Sequence, residues 1–306
     1  MGKIAFVFSG QGAQYPGMGK SLYENCKAAK ELYDFAESIR PNTIEQSFNG
    51  TAEELTRTEN AQPCLYLVSM AAAAALHENG IFESGAAGFS LGEISALANC
   101  GAYSVNDGFR LVTERGKIMQ KAAEKYDTAM AAVLRASAED VENICNEIDD
   151  VYPVNYNSPV QTVIAGSKAA IAEFKEKASS IGAKAIDLAV SAAFHSPYMN
   201  EASEEFSGVL NSFEIKSPSM PVYANLTALP YGEDIRGTLA NQMKSPVLWN
   251  KTVNNMIADG YDVFIEVGAG KTLTGLIKKI SSEVRILNVE SMEDVDNAVK
   301  AVKENA

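Results

Sequence analysis

The segment Gly88-Phe89-Ser90-Leu91-Gly92-Glu93 has the Gly-x-Ser-x-Gly pattern of a nucleophile elbow. In such an elbow a strand turns sharply into a helix, and the serine presents its hydroxyl to a substrate carbonyl. The residues two positions before and two after the serine face each other in so tight a turn, so that side chains there would collide. The segment therefore predicts an α/β fold in which Ser90 is the candidate nucleophile.

The residues on either side of the elbow favour a strand followed by a helix. Upstream, Ile81, Phe82 and the small pair Ala86-Ala87 suit a buried strand. Downstream, apolar residues recur at helical spacing over 94–98, and Gly101 is expected to end the helix. We expect this helix to begin at the serine, so that its free N–H groups and the positive end of its dipole point at a developing oxyanion.

The order of predicted elements indicates two domains. Residues 1–124 and 195–306 alternate strands and helices in the manner of a large α/β catalytic domain. Residues 125–194 instead follow the order β-α-β-β-α-β, which is the ferredoxin-like signature. We predict an α/β-hydrolase-like large domain with a parallel sheet, into which a ferredoxin-like small domain is inserted.

Composition limits the classes of partner. The 306 residues are 46 % hydrophobic and carry a net charge of −13, which argues against nucleic acid or an anionic membrane as a partner. The longest apolar run, 65–76, is too short to cross a bilayer, and the N-terminal residues resemble a first strand rather than a signal peptide. The four cysteines are scattered with no C-x-x-C pair. We expect a reduced, cytoplasmic protein without a metal.

Two glycine-rich segments resemble nucleotide-binding motifs, and each lacks a required glycine. Residues 268–272 look like the end of a P-loop, but Ile265 stands where the first glycine belongs. Tyr15 occupies the place of the third glycine of a dinucleotide fingerprint that would begin at Gly10. We therefore predict no cofactor.

A serine nucleophile needs a base, and the chain contains two histidines. His77 lies at the end of an apparent helix, where an imidazolium would complement the helix dipole, and we assign it a structural role. His195 follows the last strand of the inserted domain and precedes a helix that Ser196 could cap with Pro197 in its first position. A junction between domains is well placed for a cleft, so we predict that His195 is the base.

An oxyanion intermediate needs hydrogen-bond donors. The backbone N–H of Leu91, directly after the nucleophile, is one candidate. The loop Gly10-Gln11-Gly12 after the first strand is the best candidate for a second donor, because glycines let a backbone approach a ligand closely. From the residues alone, this loop could equally be a simple tight turn.

Six motifs then occur in an order shared with one enzyme family. They are Gly10 to Gln14, Gly88 to Glu93, Arg115-Gly116 with Met119-Gln120, Asn155 to Pro159, Ala193 to Pro197, and Glu266 to Lys271. Together they resemble the malonyl-CoA:acyl carrier protein transacylases of bacterial fatty acid synthesis, over nearly the whole chain. The resemblance implies transfer of a malonyl group from malonyl-CoA to the phosphopantetheine thiol of acyl carrier protein, through a malonyl-serine ester.

The resemblance also implies roles for individual residues. Ser90 matches the nucleophile and His195 the general base. The backbone N–H groups of Gln11 and Leu91 match the oxyanion hole. Gln242 matches a residue whose backbone carbonyl orients the histidine, so that the pair would work without an acidic third member.

Arg115 matches the residue that pairs with the free carboxylate of the malonyl group, because its planar fork binds a carboxylate bidentately. On its own, an arginine on a helix would be interpreted as a solvated surface residue. Phe89 replaces the histidine frequent before the nucleophile and is expected to border the acyl pocket. Phe194, before His195, resembles the malonyl-type version of that motif.

Three alternatives remain open at this point: an acyl-thioester hydrolase, a discrete polyketide acyltransferase acting in trans, and a catalytically silent module that binds a carrier protein. We expect a monomer whose partners are malonyl-CoA and acyl carrier protein. Because carrier proteins are typically acidic, docking needs a local basic patch. Two groups of lysines are candidates, Lys168, Lys175, Lys177 and Lys184 on the inserted domain, and Lys271, Lys278 and Lys279 near the cleft.

Overall fold

The computed structural model describes residues 2–190 and 192–303. Its strands, in chain order, are β1 (Lys3–Phe8), β2 (Gly85–Gly88), β3 (Thr128–Leu134), β4 (Val151–Ser158), β5 (Gln161–Ser167), β6 (Lys184–Asp187), β7 (Val222–Tyr223), β8 (Tyr261–Val267) and β9 (Arg285–Val289).

The helices surround these strands. They are α1 (Lys20–Asn25), α2 (Lys27–Ile39), α3 (Thr43–Asn49), α4 (Ala52–Thr56), α5 (Thr58–Glu78), α6 (Leu91–Asn99), α7 (Val105–Ala123), α8 (Ala138–Asn146), α9 (Lys168–Ser180), α10 (Asn200–Leu210), α11 (Ile235–Gln242), α12 (Trp249–Ala258), α13 (Thr272–Ile280) and α14 (Met292–Lys303). Within the described residues, none of these helices is both long and apolar enough to span a membrane.

A parallel sheet forms the centre of the larger part of the molecule. Its strand order is β7-β2-β1-β8-β9, and each of its pairings is parallel. Strands β1 and β2 are buried on both faces, as expected for a sheet covered by helices on both sides. Loops that follow the carboxyl ends of such strands meet along one edge, which is where α/β proteins build their sites.

The second sheet is antiparallel and has the order β4-β5-β3-β6. With helices α8 and α9, its elements follow one another as β-α-β-β-α-β, and this strand order is the one that ferredoxin-like connectivity produces. All of its strands lie inside residues 125–194. The predicted fold class, a parallel α/β unit with a separate antiparallel one, is confirmed, while the domain boundaries at 124/125 and 194/195 stay a prediction.

The elbow has the predicted strand-turn-helix form, because β2 ends at Gly88 and α6 begins at Leu91. A Cβ atom on Gly88 would overlap the backbone of Gly92, so the two glycines do face each other. The strand before the elbow, β2, begins later in the chain than the sequence predicts. Phe82 is 62 % exposed and stacks on His77, and pairing with β1 begins only at Gly85.

The core beneath the site is built around α5, which is buried along most of its length and packs against α7. Gln62 on α5 and Arg115 on α7 are polar residues in this apolar surround, and both are fully buried. Since buried polar groups need partners, their position inside the core points to a shared network.

Strand β4 is hydrogen-bonded to the segment between α11 and α12. Tyr156 N donates to Val247 O at 2.9 Å, and Val247 N donates to Val154 O at 2.8 Å. This junction fixes the segment that follows Gln242, the last residue of α11. It thereby connects the antiparallel sheet with the residues around His195, whose backbone N–H donates to Met243 O at 3.0 Å.

Candidate active site

Ser90 sits at the tip of the elbow in a backbone conformation that side chains rarely adopt, with a φ of 51°. Two side chains hold its peptide groups. Ser90 N donates to Oδ1 of Asn225 at 2.7 Å, and Nε2 of Gln242 donates to Ser90 O at 2.7 Å. The bond to Asn225 satisfies a backbone N–H that the sharp turn leaves without a strand or helix partner, while Ser90 O also accepts from Glu93 N at 3.1 Å.

His195 contacts the serine. Its Nε2 lies 2.8 Å from Ser90 Oγ, and its Nδ1 lies 2.9 Å from the backbone oxygen of Gln242. A carbonyl oxygen only accepts, so Nδ1 carries the proton and Nε2 is free to accept from the serine hydroxyl. The structure thus brings together Ser90, the imidazole of His195 and the backbone oxygen of Gln242.

The imidazole is held in its neutral form. Burial, followed by the nearby positive charge of Arg115, lowers the pKa of His195 to about 4, and this outweighs the backbone carbonyls of Gln242 and Ser245, which raise it. A base has to be unprotonated to act. The surroundings of His195 therefore keep it ready to accept a proton across the neutral pH range.

Arg115 is fully buried and points at the same serine. Its Nη2 donates to Oε1 of Gln242 at 2.8 Å and lies 3.3 Å from Ser90 Oγ, and its Nη1 donates to Oε1 of Gln62 at 3.0 Å. Burial lowers the pKa of Arg115 to about 10, against the opposing charge of Glu93, so it remains a cation. Its buried Nε has no hydrogen-bond partner among residues 2–190 and 192–303. A guanidinium so placed can bind an anionic group beside the serine.

Gln11 and Leu91, the two residues predicted to supply oxyanion donors, lie in the loop after β1 and at the start of α6. Leu91 is the first residue of α6, directly after Ser90, and Gln11 follows β1 in the loop next to the elbow. Among the hydrogen bonds of the described residues, neither backbone N–H donates to a protein acceptor. The Gln11 side chain is held separately, by a 3.2 Å bond from its Nε2 to Thr58 Oγ1.

A cleft of about 370 Å³ borders the elbow at Phe89 and the loop after β1 at Gln11. The cleft lies between the loop after β1, the strands β4 and β5, and helix α13. Phe89 lines it and packs edge-on against Trp249, with ring centroids 5.7 Å apart. Phe194 lines a neighbouring cavity of about 330 Å³, and Gln11 borders both cavities. The two phenylalanines predicted to border the acyl pocket thus line two different cavities.

His77 lies away from this site. It is on the last turn of α5, where its Nε2 is 2.8 Å from Oε2 of Glu83 and its ring stacks between Phe6 and Phe82. This arrangement agrees with a structural role. Within residues 2–190 and 192–303, no group of three or more His, Cys, Asp or Glu side chains is placed to hold a metal ion.

Several residues of the network were not predicted from the sequence. The site includes hydrogen bonds with side chains that come from distant positions in the chain, namely those of Gln62, Asn225, Tyr231 and Gln242. Glu93 belongs to the elbow motif, but the motif alone assigns it no role. One signal was present for it: a carboxylate on a helix whose other residues from Leu91 to Ala98 are apolar or small.

Comparison with known proteins gives a consistent result over the full chain. A family model described as an acyl transferase domain matches residues 5–301. The malonyl CoA-acyl carrier protein transacylase of Bacillus subtilis (strain 168) is 41 % identical to this chain over 312 residues, which cover 99 % of this chain and 98 % of that protein.

Solved structures agree. The malonyl CoA-acyl carrier protein transacylase of Clostridium perfringens Atcc 13124 superposes with a TM-score of 0.95 at 38 % identity, covering 99 % of this chain and 98 % of its own. A malonyl-transacylase in complex with its type II PKS acyl-carrier protein superposes with a TM-score of 0.94 at 33 % identity, covering 98 % and 99 %.

Proposed function

We propose, because the chain belongs to the acyl transferase family, that it transfers a malonyl group from malonyl-CoA to the phosphopantetheine thiol of acyl carrier protein. One observation carries the proposal: a single hydroxyl, Ser90 Oγ, lies 2.8 Å from His195 Nε2 and 3.3 Å from Arg115 Nη2. A nucleophile, its base and a cation for the acyl carboxylate therefore converge on one point. The names of the relatives supply the substrates.

The first half-reaction forms a malonyl-serine ester. Ser90 Oγ attacks the thioester carbonyl while His195 Nε2 takes its proton, and the oxyanion is held by the N–H groups of Gln11 and Leu91. When the intermediate collapses, the carbon–sulfur bond breaks and His195 returns the proton to the CoA sulfur. Loss of the base is expected to cost about 10²–10⁴ in rate, and loss of one oxyanion donor about 10²–10³.

The second half-reaction reverses these roles. The carrier's thiol gives its proton to His195 Nε2 and attacks the ester carbonyl, and the same two N–H groups hold the oxyanion. Ser90 leaves with the proton from His195, and the malonyl group is now a thioester of the carrier. Gln242 supports both steps, since its backbone oxygen holds Nδ1–H and keeps Nε2 facing the serine.

Arg115 gives the reaction its preference for malonyl. The malonyl carboxylate would accept hydrogen bonds from the guanidinium. The buried Nε of that guanidinium has no hydrogen-bond partner among the described residues. An acetyl group would leave that donor unsatisfied, which is costly in a buried site. The same pairing holds the acyl group in one orientation while the ester waits for the thiol, which favours transfer over hydrolysis.

Docking of the carrier is expected on α13. In the group on the inserted domain, Lys168, Lys175 and Lys177 are engaged in ion pairs with neighbouring carboxylates, and Lys184 is exposed and has none among the ion pairs of the described residues. Lys271, Lys278 and Lys279 are exposed and, among the ion pairs of the described residues, have no acidic partner. Residues of α13 also line the cleft. These lysines can therefore attract an acidic carrier at the point where its thiol has to enter.

The cytoplasmic location, the monomeric state and the pathway of the carrier are further parts of the proposal. We assign the carrier to fatty acid synthesis on the resemblance of the sequence motifs. A polyketide carrier is a second candidate, since one structural relative is in complex with a type II PKS acyl-carrier protein. Rates measured side by side with holo carriers of both kinds would separate them.

The direct test of transfer is the mass of a holo carrier protein incubated with malonyl-CoA and enzyme. We expect a malonyl adduct on the carrier with the native enzyme and none above background with Ser90→Ala. Ser95→Ala is the matched control. Ser95 is a buried serine on α6, the helix that Ser90 precedes, and its hydroxyl has no hydrogen-bond partner among the described residues. Free malonate with an unmodified carrier would instead indicate a hydrolase.

A further inference from the structure

Glu93 is a fully buried carboxylate next to the nucleophile, on the first turn of α6. A buried charge is costly unless it is hydrogen-bonded, and this one has three donors. Oε2 accepts from Asn225 N at 3.0 Å and from Gln242 Nε2 at 3.1 Å, and Oε1 accepts from the hydroxyl of Tyr231. None of the chemical steps proposed above uses this group.

Both of the residues whose side chains hold Ser90 also bond Glu93, Asn225 through its backbone N–H and Gln242 through its side chain. Asn225, whose backbone N–H bonds Glu93, accepts from Ser90 N and donates from Nδ2 to Gly88 O at 2.6 Å. Gln242 bonds Glu93 and Ser90 O through Nε2, and bonds Arg115 through Oε1. Glu93 is thus connected to Ser90 through Asn225 and Gln242, and to the guanidinium of Arg115 through Gln242.

We propose that Glu93 is a positioning residue for malonyl recognition, which acts by fixing the orientation of the Gln242 amide and, through it, the guanidinium of Arg115. The proposal rests on the proposed function of the site. It concerns the choice between malonyl and acetyl groups, and it assigns no chemical step to Glu93.

The donors and acceptors around Gln242 fix the orientation of its side-chain amide. A carboxylate only accepts and a guanidinium only donates, so the amide between them has one favourable orientation, with Nε2 toward Glu93 and Oε1 toward Arg115. The reversed amide would set its NH₂ against the guanidinium and its oxygen against the carboxylate. Glu93 and Ser90 O, which both accept from Nε2, therefore set which end of Gln242 faces Arg115, and this holds the guanidinium beside Ser90.

Charge supports the same arrangement. Burial raises the pKa of Glu93 to about 7, against Tyr231, the Asn225 N–H, Gln242 and the charge of Arg115, all of which lower it. Near neutral pH this site can therefore exchange a proton, and the carboxylate form is the one that orients Gln242 most strongly. Tyr103, buried nearby, adds a further titratable group to this surround.

The test is the ratio of kcat/KM for malonyl-CoA to kcat/KM for acetyl-CoA, measured at pH 8 in folded variants. Glu93→Met removes every acceptor at similar size, and we expect the ratio to fall about 10- to 100-fold, the range of a hydrogen bond to a charged group. Glu93→Gln, which keeps an oxygen acceptor, should restore part of it. A merely structural role would lower both rates together and leave the ratio unchanged.

Glu266→Met is the matched control. Glu266 is equally buried and accepts from the N–H groups of Leu273 and Thr274, but it does not contact Gln242 or Arg115. We expect it to keep the native ratio. An unchanged ratio in folded Glu93→Met, or an equal loss in Glu266→Met, would overturn the proposal.

If Glu93→Met does not fold, the isosteric Glu93→Gln decides. Its ratio should be lower than the native one at pH 8 and constant down to about pH 6, whereas the native ratio should fall over that range as Glu93 takes up a proton. A native ratio that stays constant and equals that of Glu93→Gln contradicts the proposal. Failure of the proposed function would look different, since the native enzyme itself would then transfer no malonyl group.

Discussion

Ser90 and His195 meet at 2.8 Å, and both have positive φ angles, of 51° and 60°. For residues other than glycine such conformations cost about 1–3 kcal/mol each and persist only where the surroundings impose them. Here the surroundings are three hydrogen bonds: Ser90 N donates to Asn225 Oδ1, Gln242 Nε2 donates to Ser90 O, and His195 N donates to Met243 O. These backbone conformations direct both side chains toward the same point, so the pair is organised before a substrate binds.

Replacing Arg115 should remove the preference for malonyl. Loss of one partner of a buried, hydrogen-bonded charge pair costs about 2–5 kcal/mol, so Arg115→Ala should lose about 30-fold or more in kcat/KM for malonyl-CoA. Acetyl-CoA should be affected far less. Steady-state rates with both thioesters check this, and Arg110→Ala is the control, because Arg110 is an exposed arginine of the same helix. An unchanged malonyl/acetyl ratio in Arg115→Ala would refute the assignment.

The pH dependence of serine acylation should report the lowered pKa of His195. Because that pKa is about 4, the base is neutral from pH 8 down to about pH 5, and the acylation rate should stay nearly constant over that range. Rapid-quench measurement of the acyl-enzyme with acetyl-CoA avoids titration effects of the malonyl site. A decline centred near pH 6.5, the ordinary value for histidine, would show that the imidazole is not held neutral.

Glu93 should make the free energy of unfolding depend on pH with a defined sign. Its folded-state pKa, about 7, lies above the ordinary value of 4.5, so its stabilising contribution is complete below about pH 4.5 and is lost as the pH rises through 7. Relative to Glu93→Gln, the native protein should lose a few kcal/mol between pH 5 and pH 8, at about 1.4 kcal/mol per pKa unit. Urea denaturation of both at the two pH values measures this, and parallel pH dependences would contradict it.

The α13 lysines should matter for the carrier and not for malonyl loading. Lys278→Glu combined with Lys279→Glu should raise KM for holo carrier by roughly tenfold, because reversed charges repel an acidic partner. The rate of enzyme acylation by malonyl-CoA should be unchanged. Lys175→Glu with Lys177→Glu is the control, because those lysines already pair with Asp187 and Glu147. A larger effect of the control pair would move the docking surface to the antiparallel sheet.

The elbow was predictable because its cause is local. Gly88, Ser90 and Gly92 are two residues apart, and the collision that excludes side chains from the glycines involves the turn itself. The inserted β-α-β-β-α-β unit was predictable for the same reason, since each of its elements carries its own periodicity and turn residues. The strand before the elbow was placed too early, because Ile81 and Phe82 look like strand residues although Phe82 packs on His77 at the surface.

The polar network could not be predicted from local patterns. Arg115 bonds Gln62 and Gln242, which lie 53 and 127 positions away in the chain, and its burial depends on helices that meet only in the fold. Its role was indicated by the resemblance to a family and not by its own sequence context. Glu93 lies 132 positions from Asn225 and 149 from Gln242, so nothing in the elbow motif indicates its partners.

The central claim is that Ser90 carries the malonyl group between two thiols, and the mass of the intact enzyme tests it most directly. After mixing with malonyl-CoA, we expect one malonyl adduct that is located on Ser90, persists in the absence of a thiol acceptor and disappears when holo carrier protein is added. No adduct, or an adduct that is lost to water as quickly without the carrier as with it, would contradict the account.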